Sequence, residues 1–112
     1  MSRSGNYQSV TIASGGTAST GIETVGTNRG SFQLPTMTGT TIRVDVSNDV
    51  VASADLVTNW TTCPIEGNEV TPIVTASNGS YSMPVKAMNF RWQRLVSGST
   101  EGAARTINIW TP

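Results

Sequence analysis

The chain has no histidine, one cysteine and, across 112 residues, only seven basic and seven acidic side chains. Each scarcity removes a class of function. Without histidine there is no Ser-His or Cys-His nucleophile, and the commonest general base and metal ligand are both missing. The single thiol, Cys63, permits no intramolecular disulfide and cannot by itself build a tetrahedral structural zinc site. Followed by Pro64, it reads as a small buried hydrophobe. Charged residues make up 12% of the chain, about half the usual share of ~25%. Arg91 and Arg94 are the one close pair of cations, so there is no basic stripe to grip phosphate, and neither nucleic acid nor an anionic membrane is an expected partner. No apolar run approaches the ~20 residues of a membrane span. The start, Met1-Ser2-Arg3-Ser4-Gly5-Asn6, lacks the apolar centre of a signal peptide, so synthesis in a reducing cytoplasm is expected.

What is present is serine, threonine, asparagine and glycine, with a formal net charge of zero. Such a surface does little to keep molecules apart and is inclined to associate. The length suits one domain with one core, which needs no metal or disulfide to fold.

Helical periodicity is absent and short alternating runs replace it. Val10 and Ile12 alternate with Ser9, Thr11 and Ala13, and Phe32 and Leu34 lie between Gly30 and Pro35. The clearest strand is Thr40 to Ser47, where Ile42, Val44 and Val46 face one side and Thr41, Arg43, Asp45 and Ser47 the other. Period two this strict predicts one dry and one wet face. Further runs are Leu56–Thr62, Glu69–Thr75, Tyr81–Val85, Phe90–Val96 and Arg105–Trp110. The shift of phase between Trp92 and Leu95 predicts a bulge near Gln93–Arg94. Asn78-Gly79 predicts a type I′ hairpin, and Pro72 and Pro84 belong at edges or bulges. Ser47–Leu56 reads as a loop or one short helical turn. Together these make an all-β protein: a single-domain β-sandwich or jelly-roll-like barrel of roughly seven to nine short antiparallel strands over residues 8–112. Residues 1–7 read as a flexible N-terminal arm.

Three arrangements of side chains merit weighing for chemistry. Glu66 and Glu69 flank Gly67-Asn68 and could form a glycosidase-like carboxylate pair, yet they read more naturally as solvated turn residues. Asp45, Asn48 and Asp49 offer oxygen ligands for calcium, but at a spacing that matches no EF-hand loop. Trp60, Trp92 and Trp110 are either sugar-stacking platforms or filling for the core and an interface. Trp110, out of phase with Ile107 and Ile109, is the strongest interface candidate. No catalytic residue, cofactor site or metal site is expected.

The stretch Val10-Thr11-Ile12-Ala13-Ser14-Gly15-Gly16-Thr17-Ala18-Ser19-Thr20-Gly21-Ile22 resembles the start of small virion proteins of tailed bacteriophages. So does Phe90-Arg91-Trp92-Gln93-Arg94-Leu95-Val96-Ser97-Gly98-Ser99, followed by Ala104-Arg105-Thr106-Ile107-Asn108-Ile109 and Thr111-Pro112. The pieces occur in the family's order, linked through Ile42–Ser47. After that strand the family carries an Asp-Gly turn, where this chain has Ser47-Asn48-Asp49-Val50.

The resemblance implies a capsid cement or decoration protein that bridges major capsid or other shell proteins, acts as a homo-oligomer and resides in the virion after assembly in the host cytoplasm. Within that expectation the arm, with Arg3 and Tyr7, joins Trp110 in partner contact, and deleting residues 1–7 should weaken particle binding with little change in melting temperature. The alternative is a carbohydrate- or receptor-binding sandwich of a tail or neck apparatus.

Overall fold

The computed structural model describes residues 6–23, 30–63, 73–75, 77–82 and 90–111. These hold β1 (Asn6–Ile12), β2 (Ile22–Glu23), β3 (Ser31–Gln33), β4 (Thr41–Ser47), β5 (Thr61–Thr62), β6 (Ile73–Val74), β7 (Ser80–Ser82), β8 (Trp92–Ser97) and β9 (Arg105–Thr111), with one 3₁₀ turn at Ala54–Leu56. One sheet runs β1-β9-β3-β7 and the other β2-β8-β4-β5, with β6 also paired to β4. Every pairing is antiparallel. The pairs β1–β9, β2–β8, β3–β7 and β4–β5 are nested, as though one long hairpin had been rolled so that successive pairs fall in opposite sheets. That is the jelly-roll order.

Alternation decides which side chains meet inside. Val10 lies opposite Ile107, and Phe32 opposite Ile109; all four are buried. From the facing sheet, Ile42, Val44, Val46 and Leu95 complete the same cluster with Ile22, Leu34 and Cys63. Each large side chain so buried is worth about 1.5–3 kcal/mol. Tyr81 packs at its edge, its ring centroid 5.7 Å from that of Phe32.

Several details differ from the sequence-based expectation. The second face of β4 is not wet throughout: Asp45 and Ser47 are buried along with Trp92 of the neighbouring strand. The chain after β4 folds back over this face. The Trp92 indole donates to the Asp49 carbonyl at 2.9 Å, and the Arg94 guanidinium lies 4.8 Å from the Trp60 ring centre. A side chain at Gly21 would come within 3.1 Å of the Trp60 ring, so the glycine is what lets that ring settle.

No bulge interrupts β8, whose ladder with β4 is continuous from Ile42↔Ser97 to Ser47↔Trp92. The irregularity lies on its other side. Ala18 pairs with Val96 but Ile22 with Gln93, so the first segment spends one residue more than the second over the same span. Both faces of β8 are covered, and that produces its near-continuous burial.

Asn78-Gly79 does not close a hairpin. Asn78 takes a positive φ of 62° while Gly79 does not, and the turn carries the chain from β6 in one sheet to β7 in the other. Tertiary bonds hold it there, Asn78 N–H to the Pro35 carbonyl and Leu34 N–H to the Gly79 carbonyl. The expected run at Leu56–Thr62 is a strand only at Thr61–Thr62, whereas the short helical turn lies at Ala54–Leu56 within the segment expected to hold one. Strand β1 begins at Asn6, so Asn6 and Tyr7 are laddered to Thr111 and Trp110 instead of belonging to an arm. Deleting residues 1–7 would therefore remove two ladder pairs. Residues 1–5, Pro72 and Pro84 lie outside the described residues.

Candidate functional site

The outer face of the β1-β9-β3-β7 sheet has a composition of its own. Register sets Tyr7, Ser9 and Thr11 opposite Trp110, Asn108 and Thr106, and continues through Ser31 and Gln33 to Ser82 and Ser80. None of these residues is charged. The described charged side chains lie elsewhere, on the other sheet and at the two ends of the sandwich, mostly in pairs: Arg91 with Glu23, Arg43 and Arg94 with Asp45, and Arg105 with Glu101.

Toward one corner of this face, on the edge strand β1 and its neighbour β9, stand the two aromatic residues that the sequence singles out from opposite ends of the chain. Tyr7 is 72% exposed and Trp110 is half-buried. The ladder also fixes how close they are. Thr11 donates its N–H to Thr20 Oγ1 at 3.2 Å and accepts from Thr20 N–H at 3.1 Å, both on the side away from β9. Backbone groups alternate along a strand, so Ser9 and Tyr7 also direct theirs away from β9. Tyr7↔Trp110 is thus a non-hydrogen-bonded pair, the kind in which Cα atoms approach to about 4.5 Å and side chains crowd together.

Two open depressions flank the pair. One, of about 170 Å³, lies between Tyr7, Ser31, Gln33, Ser80, Asn108 and Trp110; the other, of about 360 Å³, between Tyr7, Gln8, Ser9, Gln33 and Asn108. Neither is walled as a small-molecule pocket of about 300–1,000 Å³ would be. A broad surface laid against the face could use both at once, with the amides of Gln33 and Asn108 and the serine hydroxyls supplying donors and acceptors around the rings.

The remaining sequence candidates are placed differently. Arg3, Glu66 and Glu69 lie outside the described residues. Trp92 is buried, and Trp60, half-buried like Trp110, packs against Gly21 and Arg94. Asp45, Asn48 and Asp49 do not converge. Asp45 is taken up by Arg43 and Arg94, and Asn48 Oδ1 accepts from Arg91 N–H. Asp49 accepts from the N–H groups of Asn59 and Thr58, which hold its carboxyl below the ordinary aspartate range. Among the described residues no group of three or more His, Cys, Asp or Glu is placed to hold a metal ion.

Ser9, Gln33 and Asn108 were not singled out by sequence. The signal existed: Thr106, Asn108 and Trp110 share a phase opposite Ile107 and Ile109, which assigns them together to the outer side. Neither family models, curated proteins nor solved structures give a match to this chain.

Proposed function

We propose that the protein is a structural component of a tailed-phage virion, a capsid cement or decoration protein that lays its β1-β9-β3-β7 face on the major capsid protein and bridges neighbouring copies. The observation that carries the assembly part is that face itself: extended, free of charge among its described residues, and carrying an exposed tyrosine beside a half-buried tryptophan. Aromatic anchors ringed by neutral hydrogen-bonding groups are the usual composition of a protein interface centre. A modest interface suffices for such a role, because symmetry repeats it over the shell and avidity multiplies it.

The phage part rests on the sequence resemblance alone. Its separate pieces are neighbours in space: Val10–Ile12 pairs with Arg105–Ile107, and Ala18 and Ile22 pair with Val96 and Gln93. Jelly rolls occur in viral shells and in lectins alike, so the fold alone does not choose between the two.

Mass spectrometry of purified particles is expected to find the protein at a fixed ratio to the major capsid protein. Stripped particles should rebind it, and Asn108→Lys or the pair Tyr7→Ala/Trp110→Ala should weaken rebinding about thirtyfold or more, the scale of losing a ~2 kcal/mol anchor. Asn108 is exposed, so its substitution should leave the melting temperature nearly unchanged. Absence of the protein from particles would overturn the proposal; binding on a glycan array, lost with Trp110→Ala, would replace it with the carbohydrate-binding reading.

A further inference from the structure

We infer that the free edge of β1 pairs antiparallel with the same edge of a second copy of this chain, joining two four-stranded sheets into one of eight strands. The inference names one partner within the assembly reading and rests on it only for its setting; the argument is the geometry of the strand.

Among the described residues, the edge of β1 opposite β9 meets only Ser19 and Thr20, which cover it at Ile12 and Thr11. Tyr7, Gln8 and Ser9 are exposed one after another. Gln8 is included although its register puts it opposite the buried Ile109, on the inward side of the sheet. Consecutive exposure on both sides of a strand marks an open edge. The alternation set by Thr11 directs the N–H and C=O groups of Tyr7 and Ser9 into this opening.

Among the described residues the other outermost strands, β2, β5, β6 and β7, are two or three residues long. Long edges are normally protected by lysine, proline or a bulge. The stretch Asn6-Tyr7-Gln8-Ser9-Val10 has no charge and no proline, and its ladder with β9 runs without interruption. A charged partner would find nothing to pair with here. An identical strand meets no like-charge repulsion and offers the same donors and acceptors in return.

The covered position at Thr11 also fixes the register. Tyr7 opposite the second copy's Ser9, and Ser9 opposite its Tyr7, uses every open backbone group among the described residues and leaves Thr11 with Thr20. The twofold axis then passes between the two copies of Gln8. Because Gln8 directs its backbone toward β9, the two meet as a non-hydrogen-bonded pair at about 4.5 Å between Cα atoms, within the range a disulfide can bridge. Both Tyr7–Trp110 pairs fall on the same side of the joined sheet, so a dimer presents two copies of the proposed binding face together.

Sedimentation velocity of the whole chain up to about 1 mM should show a monomer–dimer equilibrium, weakened several-fold by Gln8→Lys, which sets two ammonium groups face to face. Under mild oxidation Gln8→Cys should cross-link between chains several-fold more than Ser9→Cys, whose copies would stand on a diagonal too long for a disulfide. Cys63 is buried and contributes equally to both. A monomer at every concentration, no effect of Gln8→Lys, or equal cross-linking of the two cysteine variants would overturn the pairing. None of these results bears on whether particles contain the protein, which their mass spectrum decides separately.

Discussion

Glu101→Ala is expected to lower stability by about 3–5 kcal/mol, the scale of removing one partner from a buried ion pair. In a domain of this size each kcal/mol lost takes roughly 4–8 °C from the melting temperature. The carboxylate is fully buried and joins three turns at one end of the sandwich. Oε1 accepts from Thr38 N–H at 2.8 Å and Arg105 Nε at 2.9 Å; Oε2 accepts from Gly39 N–H at 2.9 Å and the Ser97 hydroxyl at 2.8 Å. The residue's backbone ties in the turn after β1 as well, through Gly15 N–H to its carbonyl and its own N–H to Gly16. Gly15 reaches that position at φ +81°, a conformation L side chains rarely adopt. A side chain at Gly39 would come within 2.2 Å of Ser97 Oγ, so glycine is what admits the carboxylate to this corner.

Burial alone would raise the Glu101 pKa. The donors from Thr38, Ser97, Gly39 and Arg105 outweigh it and leave the carboxyl below the ordinary glutamate value. A carboxyl with a depressed folded pKa contributes its full stability above the unfolded value of about 4.3 and loses it as pH falls through the folded value. Melting temperatures measured from neutral pH into acid should therefore fall for the native chain. Glu101→Gln, already destabilised at neutral pH, should show a flatter acid limb. Equal acid slopes in both would show that the carboxylate is not what acid disrupts.

Asp45→Ala is expected to cost about 2–3 kcal/mol, less than Glu101→Ala, because the cations it leaves behind can recover water. Asp45 is 2% exposed, whereas the side chains of its partners Arg43 and Arg94 are 46% and 25% exposed. Arg94 grips Oδ2 through Nη2 at 2.9 Å and Nε at 3.0 Å, and Arg43 Nε approaches Oδ1 at 3.2 Å. Arg94 also carries the Trp60 ring, so losing the carboxylate should loosen the segment that covers this face. Chemical denaturation gives the stability, and Trp60 fluorescence should redden in the folded variant. Arg43→Ala, which removes the more exposed and longer contact, should cost under ~1 kcal/mol. A loss as large as that of Asp45→Ala would show that the Arg94 contact is not the stronger one.

The two clusters differ in how far the sequence revealed them. Asp45 is visible as a member of a strand, and its phase places it on the wet face, because alternation reports which residues share a face and not what lies over it. That cover comes from Asn48–Trp60, a loop whose path no local pattern encodes. Glu101 carried no signal at all. It stands between Thr100 and Gly102 in a turn, and two of its four donors, Thr38 and Gly39, lie about sixty residues away along the chain. The Asn78-Gly79 turn shows the same limit. Its residues do make a turn, but which strands the turn connects depends on the sheets those strands join.

The absence of histidine and the lone cysteine narrow the available chemistry from the sequence alone. Alternation at Val10/Ile12, Ile42/Val44/Val46 and Ile107/Ile109 fixed the all-β class and the core, because a buried sheet face demands period two. The sequence also marked Tyr7 and Trp110, one near each end of the chain. Only the tertiary structure made them a pair, since their meeting depends on the β1–β9 ladder closing the chain's two ends together. The same ladder leaves one edge of β1 open, and openness is a property of what does not pack there, which no residue carries in itself.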